Sequence, residues 1–316
     1  MNWFFLTIIS YLMLALVNLG DKFVVDKLLR NSKAYVFAVG ILGAIVFLVA
    51  PWFLSWPGLF LFLVNILAGA FFVFALWTMY ESLKLGEASR VVVVIGGIIP
   101  LFTIIFSIIF LKQRFNGNQW LGMFLLFLGM IIISFIISRR KKWGIFLNRI
   151  YSIFYGAYDK KWIFLAFLSA LLYSLFFIAT KYAYQQQEFV SSFIWIRGGS
   201  LLVVLLFLLN KKDRQDIFKS FKVKTKSPIK VGKGFIFINQ GLGSLAVLIQ
   251  NYAVYLGPVA VINALQGVQY AFLLILGIFF SIFFPKILKE DISRKTLIKK
   301  ILAIILIGLG LYFIVI

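Results

Sequence analysis

Long apolar runs broken by short polar stretches set the rhythm of this 316-residue chain. Ten runs stand out, near residues 3–20, 34–54, 58–80, 89–111, 119–138, 162–184, 190–210, 234–256, 259–284 and 298–316. A bilayer's hydrocarbon core is about 30 Å thick and takes roughly 20 apolar residues of helix, the scale of each run. Barrel strands would alternate apolar and polar residues in steps of two. These runs are continuous, so each is predicted to be a membrane-spanning helix. The first run lacks a basic stretch before it and a small-residue cleavage site before Asp21. It is expected to be a mature helix rather than a cleaved signal.

Two polar segments interrupt the rhythm. Residues 139–161 open on Arg139, Arg140, Lys141 and Lys142 and close on Lys160 and Lys161. Between them, Trp143, Ile145, Phe146, Ile150, Ile153 and Phe154 read either as a helix lying on anionic lipid or as part of a plain basic linker. Residues 211–233 hold nine Lys/Arg against Asp213 and Asp216, with Pro228 and Gly232 as breakers. They are expected to form a solvated loop.

The basic residues set an orientation, because Lys and Arg collect in cytoplasmic loops. The chain holds 32 Lys+Arg and 10 Asp+Glu, a net charge of +22. Of the segments between runs, the odd-numbered ones carry 28 basic residues and the even-numbered ones 3, namely Lys112, Arg114 and Lys181, while Arg197 lies inside a run. The odd loops are therefore predicted to be cytoplasmic and both termini outside, in a multi-pass protein of the cell (inner or plasma) membrane. The same split assigns the charge to membrane lipid and argues against nucleic acid as a partner.

The two halves also echo one another. Leu85-Gly86 after the third run matches Leu256-Gly257 after the eighth, and Gly96 and Gly267 follow at the same offset. Lys22 and Lys181 hold matching places near the starts of the two halves. A five-helix unit enters and leaves on opposite faces, so its second copy must sit upside down. The expected fold class is thus an all-α integral membrane protein, with ten transmembrane helices as two inverted five-helix repeats. The expected division is 1–138 for the first repeat, 139–161 for the linker and 162–316 for the second repeat. Many secondary transporters place their site near such a repeat interface.

Several short motifs carry a resemblance. They are Asn18-Leu19-Gly20-Asp21-Lys22 closing the first run and Gly86-Glu87-Ala88-Ser89-Arg90 leading to Pro100 in the fourth. Phe110-Leu111-Lys112-Gln113-Arg114-Phe115 then precedes Gln119-Trp120-Leu121-Gly122, while Lys181 and Arg197-Gly198-Gly199 stand in the second half. The pattern resembles the drug/metabolite transporter (DMT) superfamily, EamA type, over nearly the whole chain. The resemblance implies ten helices in two inverted repeats and ATP-independent movement of small metabolites, often export. The chain departs from that pattern at Gln113, where the family usually has Glu, and at Ala271, the repeat counterpart of Pro100. The family commonly has both termini in the cytoplasm, whereas the charge count puts them outside.

Composition narrows the chemistry further. Hydrophobic residues make up 63% of the chain, charged residues 13%, and the mean hydropathy is +1.02. A soluble domain is about half apolar and a quarter charged. Cysteine and histidine are absent, which removes thiol nucleophiles, Cys/His metal sites and Ser–His–Asp triads. No Walker A run occurs, so no ATP motor is expected. An enzyme is not expected either, since the few acids are scattered along loops; no cofactor or metal is predicted.

Polar groups in a bilayer are costly and mark function or helix contact. In run eight, Gln240, Ser244, Asn251 and Tyr255 follow steps of four, seven and four, one helical face. In run nine, Asn263, Gln266 and Tyr270 follow steps of three and four, with Gln269 nearby. The two stripes flank the Gly257-Pro258 turn and would face each other in an antiparallel pair. Such amide and phenol groups suit reversible binding of a polar solute; interhelical bonding is the other reading. Arg197 either snorkels past Trp195 or anchors an anion. Glu81, Lys22 and Lys181 are the candidates for coupling or gating, with interface anchoring as the other role for the lysines. Gly96, Gly97 and Pro100 mark a helix break or hinge, or else close packing. The expected function is a secondary transporter, in the export direction, of small polar or amphipathic metabolites by alternating access, as monomer or homodimer. The alternatives are a lipid-linked headgroup flippase of the same superfamily and a non-transporting structural membrane protein.

Overall fold

The computed structural model describes residues 2–24, 31–85, 88–137, 161–222, 233–283 and 294–315. Among these residues every regular element is helical. They are α1 (Asn2–Val24), α2 (Ser32–Gly43), α3 (Ala50–Phe53), α4 (Leu59–Leu85), α5 (Ala88–Leu111) and α6 (Gly117–Ile137). There follow α7 (Lys161–Gln186), α8 (Phe189–Leu206), α9 (Lys211–Lys222), α10 (Lys233–Leu256), α11 (Val259–Ala264), α12 (Gln266–Phe283) and α13 (Arg294–Val315). The predicted lipid-surface segment at 139–161 lies almost wholly outside the described residues.

Six stretches are long and apolar enough to cross a membrane: Ser32–Phe53, Leu59–Leu85, Val94–Leu111, Lys161–Gln186, Phe189–Leu209 and Val259–Phe279. Asn2–Asn18, Gly117–Ile132 and Gly241–Leu256 are shorter apolar helices. Large apolar side chains point outward all round the bundle, among them Leu48, Leu63, Ile109 and Phe124. In water such a surface would aggregate; in hydrocarbon it is the solvated face. The described chain is a multi-pass membrane protein.

Local chemistry places the ends. Asn31 caps α2 by accepting from Lys33 N at 3.0 Å and Ala34 N at 3.3 Å. Asn116 and Gln119 cap α6 reciprocally, each side-chain oxygen accepting from the other residue's backbone N–H at 2.7 and 3.1 Å, the capping-box arrangement. Between α2 and α3 the helix tightens into a 3-10 stretch at Ala44–Val49, and Pro51 follows in the first turn of α3, a place that tolerates its missing donor.

Small residues bring the backbones together, since lipid gives apolar side chains no reason to leave it for each other. A Cβ on Gly69 (α4) would strike the Ile196 carbonyl of α8, and one on Gly199 (α8) would strike Ile66 of α4. A Cβ on Gly122 (α6) would lie 2.8 Å from the Gly310 oxygen of α13, and one on Gly310 2.9 Å from the Gly122 oxygen. The main helix contacts join α4 with α7 and α8, α6 with α13, α1 with α10 and α12, and α5 with α7.

Residues 211–222 correct the sequence expectation of a loop. They form α9, which packs on α2 and buries Ile217 completely. Asn210 caps it by accepting from Lys212 N at 2.9 Å. Lys33 of α2 donates to Asp213 at 2.6 Å and lies over the Trp77 ring. One buried isoleucine and one acid in a strongly basic stretch suffice to dock the helix.

Candidate functional site

The membrane helix that carries the second polar stripe is broken. α11 ends at Ala264, Leu265 is a turn residue, and α12 begins at Gln266. The interruption falls between Asn263 and Gln266. By contrast α5 runs unbroken through Gly96, Gly97 and Pro100, so the predicted break there is not found. A proline inside a membrane helix is tolerated where protein packs around it. Instead of a break, Gly96 makes room: the Tyr270 hydroxyl occupies the space a Cβ would need.

A helix end buried in a bundle leaves carbonyls without partners. At this break α1 supplies one. The Tyr11 hydroxyl donates to the Ile262 carbonyl at 2.9 Å and accepts from Gln250 Nε2 of α10 at 3.3 Å. Asn263, almost fully buried, donates to Thr103 Oγ1 of α5 at 3.2 Å. Asn251, also buried, accepts from the Tyr184 hydroxyl of α7 at 3.2 Å and donates to Val247 O at 2.8 Å. The two predicted stripes therefore do not face each other. α1 packs on both α10 and α12, and each stripe turns to a different neighbour.

The remaining sequence candidates are spread over the bundle. Tyr255 is half-buried against Tyr184, Phe189 and Tyr252. Gln266 and Tyr270 are half-buried below the break, and Gln269 is buried. Ser244, on the predicted polar face, is exposed. Gln240 and Lys22 lie in described helices, but their side chains lie outside what is described. Glu81 is tied down near the basic ends of α2 and α4, where it accepts from Ser32 and, at 3.0 Å, from Lys84. Lys181 is buried near the end of α7 and donates to the Val254 and Tyr255 carbonyls at 2.9 and 3.0 Å. It thereby answers two of the last carbonyls of α10 and stands where a cation complements the helix dipole.

Arg197 has its guanidinium carbon 5.2 Å from the Phe72 ring centre and 4.9 Å from that of Phe193. Two aromatic faces hold the cation. A second polar cluster lies between α4, α7 and α8: Ser192 donates to Asn65 Oδ1 at 2.9 Å and Asn65 Nδ2 to Gln187 at 3.2 Å. Near this end Ser55 joins Ser191 at 3.1 Å, and Trp195 Nε1 donates to Ser55 O at 2.9 Å. A cavity of about 330 Å³ opens where the turns at 112–116 and 257–258 meet the end of α7; its polar lining is Gln113, Arg114, Gln119, Lys181 and Gln185. Among the described residues no group of three acids, histidines or cysteines could hold a metal ion.

Sequence reasoning found Asn251, Asn263, Arg197 and Lys181 because each is polar within an apolar run. It missed Tyr11, Thr103, Asn65 and Gln250. Thr103 and Asn65 carried the same signal; Tyr11 passes for an ordinary apolar-helix aromatic until its hydroxyl is seen at the break.

An all-helical apolar bundle with buried amides and hydroxyls shared between helices defines a polytopic membrane protein with a polar interior. Residues 1–135 match the model of the EamA-like transporter family, whose members are transporters rather than enzymes. That match takes in the first 135 of the chain's 316 residues. A crystal structure described only as that of a protein is similar to the whole chain. Its TM-score is 0.60 at 14% identity, covering 99% of this chain and 94% of that one, a likeness of fold alone. No curated protein matches the sequence.

Proposed function

We propose that this chain is a secondary carrier that moves a small polar or amphipathic metabolite across the cell membrane without ATP. It does so by alternating access between two inverted five-helix units, 1–138 and 162–316, making ten crossings. The carrying observation is the break at Leu265, whose polar groups are shared between the two units: Tyr11 with Ile262 and Gln250, Thr103 with Asn263. In lipid, irregular backbone is tolerated only against protein or a wet cavity, and discontinuous helices at a repeat interface are where such carriers hold solutes. Amides and hydroxyls that bond each other in the solute-free state exchange those bonds for bonds to a solute at little net cost.

Pairs of contacts support the inversion. Number the ten apolar segments in chain order. The third packs on the sixth as the eighth packs on the first, and the fourth packs on the sixth as the ninth packs on the first. Trp3 lies against Gly257 at the end of the eighth segment. Trp162, its counterpart in the second half, accepts through its carbonyl from Ser82 near the end of the third, at 2.7 Å. The basic loops face the cytoplasm and both termini lie outside; a reporter fused after Ile316 that worked on the cytoplasmic side would overturn that orientation.

Asn251→Leu combined with Gln266→Leu is the test of the pathway. In proteoliposomes screened with amino acids, nucleosides and cationic drugs, the double variant is expected to insert and fold but to lose solute flux. Flux equal to that of the unaltered protein would move the pathway elsewhere. A structural membrane subunit would show no flux in either form, and a headgroup flippase would move lipid analogues instead.

A further inference from the structure

The cavity at the short-turn end has two cationic side chains, Lys181 and Arg114, and no acid in its lining. Lys181 is 7% exposed. Its ammonium has three hydrogens to donate, and two go to the carbonyls of Val254 and Tyr255. The third is left on a side chain that lines the cavity, as Arg114 does. No acid contributes to that lining. Among the described residues Gln113 adds a buried amide oxygen with no partner. The Gln119 oxygen is already engaged by Asn116 N at 3.1 Å, which leaves its NH₂ as the donor end. A buried ammonium with a spare hydrogen, a guanidinium and an amide donor around roughly 330 Å³ form a surface built for negative charge. Charge-assisted bonds to an oxyanion are the strong use of such donors.

We propose that this cavity binds a small oxyanion, the carboxylate or phosphate group of a solute, between Lys181 and Arg114. The site rests on the carrier reading for its purpose: it takes the charged end of the solute at one mouth of the pathway. The orphan amide oxygen of Gln113 favours an anion that also carries a hydroxyl or ammonium donor. Lactate is therefore expected to bind better than propionate.

The test is calorimetric binding to the full chain in phosphate-free detergent at fixed ionic strength. The probes are lactate, propionate, inorganic phosphate, dihexanoyl phosphatidic acid and, as neutral control, glycerol. Lactate or phosphate is expected to bind saturably and glycerol not to bind. Arg114→Gln, at an exposed position that threatens no packing, is expected to weaken anion binding about tenfold, the loss of one good charge-assisted contact. Lys181→Gln is expected to weaken it further; its melting temperature is recorded alongside, because the α10 carbonyls lose their partner. Gln113→Leu is expected to erase the preference for lactate over propionate. Binding by dihexanoyl phosphatidic acid alone would keep the oxyanion site and assign it to a lipid headgroup. No saturable anion binding, or anion binding unchanged in Arg114→Gln, would overturn the site. Either result leaves solute flux through the Asn251 and Gln266 seam to be judged in proteoliposomes, so the two readings fail separately.

Discussion

Gly69 leaves no room for any other side chain. A Cβ there would meet the Ile196 carbonyl and the Ser200 nitrogen of α8, both backbone and unable to step aside. Gly69→Ala is expected to destabilise the protein by about 1–3 kcal/mol, the usual cost of overpacking. Gly97→Ala, which would meet only Phe127 at 4.0 Å, is expected to stay within about 0.5 kcal/mol. Thermal unfolding in detergent compares them; equal melting temperatures would contradict this packing. Gly122 and Gly310 make backbone contacts while Gly308 faces open space. A glycine in an apolar run announces close approach without saying to what. The same limit held for the polar residues: Asn251 and Asn263 were legible, but their partners Tyr184 and Thr103 come from other helices and depend on how the bundle closes.

At the scale of elements, apolar run length placed the helices well, because a membrane span needs about 20 apolar residues wherever it sits. It gave no sign of the break. Pro100 is the stronger sequence signal, yet α5 absorbs it and segment nine, with no proline near Leu265, is interrupted. Tertiary bonds stabilise the interruption, above all the Tyr11 hydroxyl on the Ile262 carbonyl. Tyr11→Phe removes that donor and keeps the ring. It is expected to cost about 1 kcal/mol, since buried carbonyls left alone are penalised and single bonds between membrane helices are modest. Hydrogen exchange should then quicken around residues 262–268; unchanged exchange and an unchanged melting point would show that the break holds itself. Residues 211–233 were read as a loop for a related reason: their nine basic residues hid Ile217, the isoleucine that anchors α9.

For the whole molecule, the two-fold echo in the sequence was faint, a few Leu-Gly, Gly and Lys positions. The packing of segment three on six and of eight on one is what gives those positions a common meaning. In the proposed arrangement, matching helices of two inverted copies make equivalent contacts at opposite faces, and a solute path along their interface follows if the two units rock against each other. The chain contains no cysteine, so one thiol can be introduced at a time with no background to remove. Gln266→Cys stands in the proposed path, and Leu67→Cys faces lipid at 52% exposure. A membrane-impermeant thiosulfonate reagent is added to vesicles from either side, since only a thiol that ionises in contact with water reacts readily. The carrier account predicts that Gln266→Cys is modified from both faces and Leu67→Cys from neither; a Gln266→Cys that reacts from one face alone, or no faster than Leu67→Cys, would contradict it.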